Sequence, residues 1–222
     1  MRPSGSQTNK PQGSTIKPSA GWIISVYVLS VVCARPLLAF AYPLSSQAIR
    51  EAYFLAAGDP SKRLEFFEKY KHRMPTPISG PDVSLIEVQT PFACIVDEIA
   101  GRISNYHAAD AERDYLGKPG CFRVHVEIDF SPTWPQPTDT AATRSDFWKR
   151  FKVRLKQRSE ISPRSIRGRP IYNTDALLGF TGATIDLEYN VRKIDPSAIT
   201  TVDVDTPDGQ QVETTFNLNS LR

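Results

Sequence analysis

The sequence has only three His and two Met, and its three Cys show no Cys-x-x-Cys spacing. Zinc-finger and Cys-x-x-Cys redox motifs are therefore excluded as sequence patterns. No phosphate loop, nucleophile elbow, zincin helix or Ser-x-x-Lys pair occurs, so none of the compact catalytic signatures is present. Glycine is outnumbered by proline, 12 against 18, and that proline excess weighs against an all-helical bundle. The chain also lacks an acid before Tyr42, whereas Arg2, Lys10, Lys17 and Arg35 lie there. The net charge of +3 thus belongs to the N-terminal stretch. The remainder is near neutral and gives no electrostatic argument for nucleic-acid binding.

What is present is an ordinary globular composition, 40% hydrophobic and 23% charged over 222 residues, enough for one or two domains. A Ser, Pro and Gln-rich basic stretch precedes an apolar run from Trp22 to Ala34. Arg35-Pro36 interrupts the run below the roughly 20 residues that a spanning helix needs. A small-x-small site follows at Ala39-Phe40-Ala41. Residues 1–41 are expected to be a cleaved signal peptide, leaving 42–222 as one exported domain, periplasmic or extracellular. The alternative is an inner-membrane anchor at residues 22–41, with membrane contact only through that leader. Cys33 follows Ser30-Val31-Val32, which departs from a lipobox. The remaining pair, Cys94 and Cys121, suits a disulfide in an oxidising compartment. It would close a loop of about 28 residues, worth roughly 3.5 kcal/mol; two independent buried thiols are the alternative, and a reactive thiol or metal pair lacks both Cys-x-x-Cys spacing and a neighbouring His.

Two helix starts are marked, Ser45 or Ser46 before Gln47–Ala57, and Asp59-Pro60 before an apolar spacing that extends to Met74; serine, aspartate and proline favour these positions. After the proline-rich turn at 75–81 the period changes toward 2, with Val83 and Leu85 inward, and a second strand is expected over Phe92–Val96. A short helix is expected over Tyr106–Tyr115. Beyond it, Cys121–Phe130, Phe147–Leu155 and the row Ile185, Leu187, Tyr189 and Val191 alternate as strands. Val202–Val204 and Val212–Phe216 flank Thr206-Pro207-Asp208-Gly209, a hairpin signal. Stretches 131–143 and 159–174 read as loops. The fold class expected is α+β: an N-terminal helical hairpin (42–81) packed on an antiparallel, sandwich-like β part (82–222).

The strongest charge feature spans Asp146–Pro170, nine basic residues against two acids. Arg150, Lys152, Arg154, Lys156 and Arg158 share one strand face, and Arg164, Arg167 and Arg169 are expected in a loop. Arg164, Arg167, Arg169, Arg150, Lys152 and Arg154 are the candidate anion-binding set. Pairing of the stripe with the alternating acids Asp186, Glu188, Asp203 and Asp205 is the competing reading. His107, Asp110 and Asp114 share a helix face and form a candidate metal set; His125, Glu127 and Asp129 share a strand face but stand too far apart for one ion. No cofactor is implied.

The segment Ala48-Ile49-Arg50-Glu51-Ala52-Tyr53-Phe54-Leu55, with Pro75 to Pro81, Ile86-Glu87 and Thr90-Pro91-Phe92, resembles uncharacterised exported bacterial proteins with a similar helix pair. The resemblance covers roughly residues 48–115. It implies export and a shared fold, and no activity. The expected function is a non-enzymatic binding module of the cell envelope whose partner is a protein, a glycan or an anionic lipid head group. The rival is an exported hydrolase or carbohydrate-active enzyme gathering acids such as Glu127, Asp129, Asp186 or Glu188 in a concave pocket.

Overall fold

The computed structural model describes residues 40–75, 80–102, 105–118, 120–131, 145–172 and 180–222. The leader and the expected loop at 131–143 lie outside the described residues, apart from Phe40, Ala41 and Ser131. No helix among the described residues is long and apolar enough to cross a membrane. Four helices pack together beside two antiparallel sheets that form a sandwich-like β region.

Helix α1 (Ser46–Ala57) begins at Ser45, whose side chain accepts the Ala48 N–H, and buries Ile49, Ala52 and Ala56. Helix α2 (Pro60–Glu68) is capped by Asp59 with Pro60 in its first turn. It stops six residues before Met74 because the chain turns at Tyr70 into strand β1 (Lys71–Arg73). Leu64 and Phe54 are exposed.

Strand β2 (Pro81–Gln89) carries a register shift between Val83 and Leu85. A bulge of this kind inserts a residue and reverses the alternation. Val83, Ile86 and Val88 therefore share the core face, and Leu85, Glu87 and Gln89 take the other. The strand expected at Phe92–Val96 is instead helix α3 (Pro91–Ala100), with Thr90 as N-cap and Pro91 at its first position. The β-branched pair Ile95-Val96 suggested a strand, but cap and proline fix the local conformation. Thr90 also donates to the Arg222 carbonyl, which Tyr70 Oη bonds at 2.6 Å. Thr90→Ala is expected to cost about 1 kcal/mol for the lost cap, plus the loss of this tie, read by urea unfolding.

Helix α4 (Ala108–Leu116) and strand β3 (Cys121–Phe130) follow. The basic stretch is not one strand: Phe147–Arg150 is a 3-10 turn, β4 covers Lys152–Lys156, β5 Glu160–Ile161 and β6 Ser165–Tyr172. Arg167 and Arg169, expected in a loop, thus stand on a strand. Strands β7 (Phe180–Asn190), β8 (Ile199–Asp205) and β9 (Gln211–Asn217) complete the sheets. The β8–β9 turn holds Gly209 at φ +87, a conformation that glycine adopts freely.

The five-stranded sheet has order β1-β2-β3-β7-β6, and the four-stranded sheet β5-β4-β8-β9. Phe122, Val124, Val126 and Ile128 of β3 and Ile185, Leu187 and Tyr189 of β7 enter one core. From the second sheet come Leu155, Val202, Val204 and Phe216. Phe147 meets Phe130, Phe151 and Phe180 in edge contacts at 4.9–5.9 Å. Trp148 lies so close to Gly168 that a Cβ there would fall 2.0 Å from the indole.

Candidate functional site

Because side chains alternate across a strand, the register that buries Val124 and Val126 turns Arg123, His125 and Glu127 to the opposite face. The pairing then aligns one rung across all five strands: Lys71 beside Glu87, Glu87 beside His125, His125 beside Asp186, and Asp186 beside Arg167. Charge alternates along this rung, which spans roughly 19 Å at ordinary strand spacing. The neighbouring rung holds Gln89, Arg123, Glu188 and Ser165. Together with Arg169, Gly168, Asp97 and Phe67 they line a groove of about 720 Å³.

The hydrogen bonds fix the floor of this groove. His125 Nδ1 and Asp186 Oδ1 are 2.7 Å apart, Gln89 donates to Glu87 at 2.7 Å, and Arg123 reaches Asp97 at 3.0 Å and Gln89 Oε1 at 3.1 Å. Ser165 Oγ donates to Glu188 at 3.2 Å. Arg169 stands 3.4 Å from Asp186 and Lys71 3.6 Å from Glu68. Arg167 makes no ion pair among the described residues.

Burial opposes protonation of His125, but the hydrogen bond and charge of Asp186, with Glu87 and Glu127, outweigh it and leave the imidazole above its ordinary value of 6.5. Burial likewise opposes ionisation of Asp186, and the His125 hydrogen bond and charge, with Arg123 and Arg169, carry it below 3.8. Burial pushes Glu87 up, more than Gln89, Lys71 and His125 pull it down. The pair has a signed consequence for stability. The His125 contribution is full below pH 6.5 and is lost as pH rises through the raised native value. The Asp186 contribution is present above pH 3.8 and is lost as pH falls through the lowered native value. His125→Asn is therefore expected to remove the pH dependence of unfolding free energy that wild type shows just above pH 6.5. Parallel urea titrations of both proteins check it.

The candidate anion-binding residues divide between the two sheets. Arg167 and Arg169 border the groove. Arg164 precedes β6, its N–H bonded to the Glu188 carbonyl at 2.6 Å, and it lines a separate cavity beside the helices. On the other sheet, Arg154 makes a two-pronged contact to Asp205 at 2.7 and 2.9 Å. It also stands 3.8 Å from Asp203, which is fully buried beneath it and contacted by Lys156. Lys152 opposes Asp205 in register. Arg150 sits over the Phe147 ring. The shared face expected for Arg150, Lys152 and Arg154 is broken, because the 3-10 turn takes Arg150 off the strand.

Among the described residues, no three His, Cys, Asp or Glu side chains are grouped to hold a metal ion. Of the candidate metal set, Asp110 accepts the His107 N–H at 2.9 Å and pairs with Arg113, while Asp114 is engaged by Arg102 at 2.8 Å and Tyr106 at 3.1 Å. Cys94, buried on α3, and Cys121, half-buried at the start of β3, are free cysteines in the structure. Of the acids weighed for an enzyme, Asp186 and Glu188 line the groove, and Glu127 and Asp129 lie farther along β3. Lys71, Glu87 and Gln89 were not singled out as site residues from sequence, and Asp97 was weighed only as a paired carboxylate with Glu98. The alternating acids at Asp186 and Glu188 facing a strand with Arg123 and His125 were the available signal for the central rungs.

No family model matches the chain, and no curated protein matches it. Its fold is similar to IgNAR antibody domain C1, at 12% identity and a TM-score of 0.30, over 65% of this chain and 98% of that one. It is also similar to a protein of unknown function from Burkholderia pseudomallei K96243, at 10% identity and a TM-score of 0.31, over 80% of this chain and 91% of that one. Neither similarity assigns an activity.

Proposed function

We propose that the chain is an exported cell-envelope protein that acts as a binding module, and that the groove on the five-stranded sheet takes an acidic glycan. The observation that carries this reading is the charged rung Lys71–Glu87–His125–Asp186–Arg167, bordered by Arg169. Glycan hydroxyls need both donors and acceptors, and the alternating rung supplies them in register. A sugar carboxylate needs a planar cation, and Arg167 has no carboxylate partner among the described residues to give up. Export is supported by the basic stretch, the apolar run from Trp22 to Ala34 and the Ala39-Phe40-Ala41 site.

The raised value of His125 moves the groove toward positive charge as pH falls from 8 to 6. Titration calorimetry with oligogalacturonate is therefore expected to show binding that strengthens from pH 8 to pH 6 and weakens with added salt. A neutral oligosaccharide of equal length is expected to bind more weakly. Equal affinity for the two sugars, or no heat with either, overturns the reading.

A further inference from the structure

A second cavity, of about 330 Å³, lies between α3, α4 and the near ends of β3 and β7, and both Cys94 and Cys121 line it. Cys94 is buried on α3, its sulfur 3.8 Å from the Gln89 carbonyl, whereas Cys121 at the start of β3 is partly exposed. The two thiols are near enough to perturb each other's ionisation. Arg123, two residues beyond Cys121 on the same strand face, also lines the cavity, as do Lys118 and Arg164. These features together make a site: two neighbouring thiols that line one cavity, Cys121 the more exposed of them, with cations beside it.

We propose that Cys94 and Cys121 form a thiol–disulfide exchange site, in which Cys121 attacks, Cys94 resolves, and a low-molecular-weight disulfide is the co-reactant. This goes beyond the binding groove and does not depend on it. Cys121 gives its proton to solvent, and its thiolate attacks one sulfur of the small disulfide. A bond forms between Cys121 and that sulfur as the original S–S bond breaks, and the departing thiolate takes up a proton. Cys94 then loses its proton and attacks Cys121 Sγ, forming the Cys94–Cys121 bond and expelling the second small thiol. The protein dithiol is oxidised by two electrons, and one disulfide is reduced to two thiols. Excess small thiol runs the sequence backward.

The electrostatics assign the same order. The hydrogen bond from Cys94 outweighs burial and, with Arg123, lowers the Cys121 thiol below its ordinary value, and burial holds Cys94 well above. The more acidic, more exposed thiol is the one that attacks.

The test is reaction of the reduced full chain with glutathione disulfide, quenched by alkylation and read peptide by peptide, so that Cys33 reports separately. Wild type is expected to end as the Cys94–Cys121 disulfide, each Cys losing one hydrogen, and to reopen with excess glutathione. Cys94→Ser is expected to stop at a glutathione adduct on Cys121, and Cys121→Ser to react about tenfold more slowly at Cys94. The proposal is overturned if Cys94→Ser acquires no adduct, if Cys121→Ser matches wild type, or if the oxidised pair resists excess glutathione. Where a serine variant fails to fold, alkylation of wild type by iodoacetamide decides the order: Cys121 is expected to label first, and equal or earlier labelling of Cys94 overturns it.

Discussion

Phe122→Ala is expected to destabilise the protein by about 3–5 kcal/mol, the usual cost of emptying a large aromatic site in a packed core. Phe122 is fully buried at the start of β3. Its ring meets Tyr189 of β7 edge-on at 6.3 Å, so it ties strand β3 to β7. Tyr189 sits on a regular strand that cannot collapse into the gap without breaking the β3–β7 register. For a chain of this length the change corresponds to roughly 6–20 °C in melting temperature. The check is urea unfolding at constant slope, and a loss below about 1 kcal/mol would show that the ring is not part of the packed core. The consequence reaches the groove, because the register that buries Phe122 is the one that presents Arg123 beside Glu188.

The second large effect concerns ligand. The double change Arg167→Glu with Arg169→Glu is expected to weaken oligogalacturonate binding by more than about tenfold, since each charge-assisted contact is worth roughly 1.5–3 kcal/mol. The two side chains play unequal parts. Arg169 is drawn toward Asp186, so Arg169→Glu alone also disturbs the His125–Asp186 pair, whereas Arg167→Glu removes the less encumbered cation. Arg167→Glu is thus expected to give the larger loss of affinity per unit loss of stability. Arg154→Glu serves as the contrast. Its guanidinium is committed to Asp205 and Asp203 on the other sheet, so it is expected to cost stability and leave affinity unchanged. Calorimetric titration beside urea unfolding separates these outcomes.

The contrast between Arg154 and Arg167 also marks how far the sequence could be read. Local signals were legible: the Ser45 and Asp59 caps, the Asp208-Gly209 turn and the alternation of Cys121–Phe130 all appear where they were expected. The α+β class followed from them. The second proline-capped helix was misread because Ile95 and Val96 favour a strand in isolation, although Thr90-Pro91 repeats the Asp59-Pro60 signature. Strand β6 was misread as loop because Gly168 and Pro170 interrupt its apolar pattern; the glycine is there to admit Trp148. The β2 bulge exchanged the faces of Leu85 and Ile86, and no local rule announces it.

The candidate site was less legible than the fold for a physical reason. Its rung joins residues from five strands, and the pairing of Lys71 with Glu87 or of His125 with Asp186 is set by register between distant segments. Charge counting found the basic stretch without showing that it divides between two sheets. His125 was weighed against its strand neighbours Glu127 and Asp129, when its partner lay across the sheet. The two cysteines were read as a bridge; the structure has them as free cysteines lining one cavity, and that setting depends on where α3 meets β3.

The most direct test of the groove is an amide chemical-shift map of the uniformly labelled protein titrated with oligogalacturonate. The account predicts saturable shifts clustered at Lys71, Glu87, Arg123, His125, Arg167 and Asp186, with none at Arg154, Lys156 or Asp203. Shifts confined to the outer face of the four-stranded sheet, or no saturable shifts at all, would contradict it.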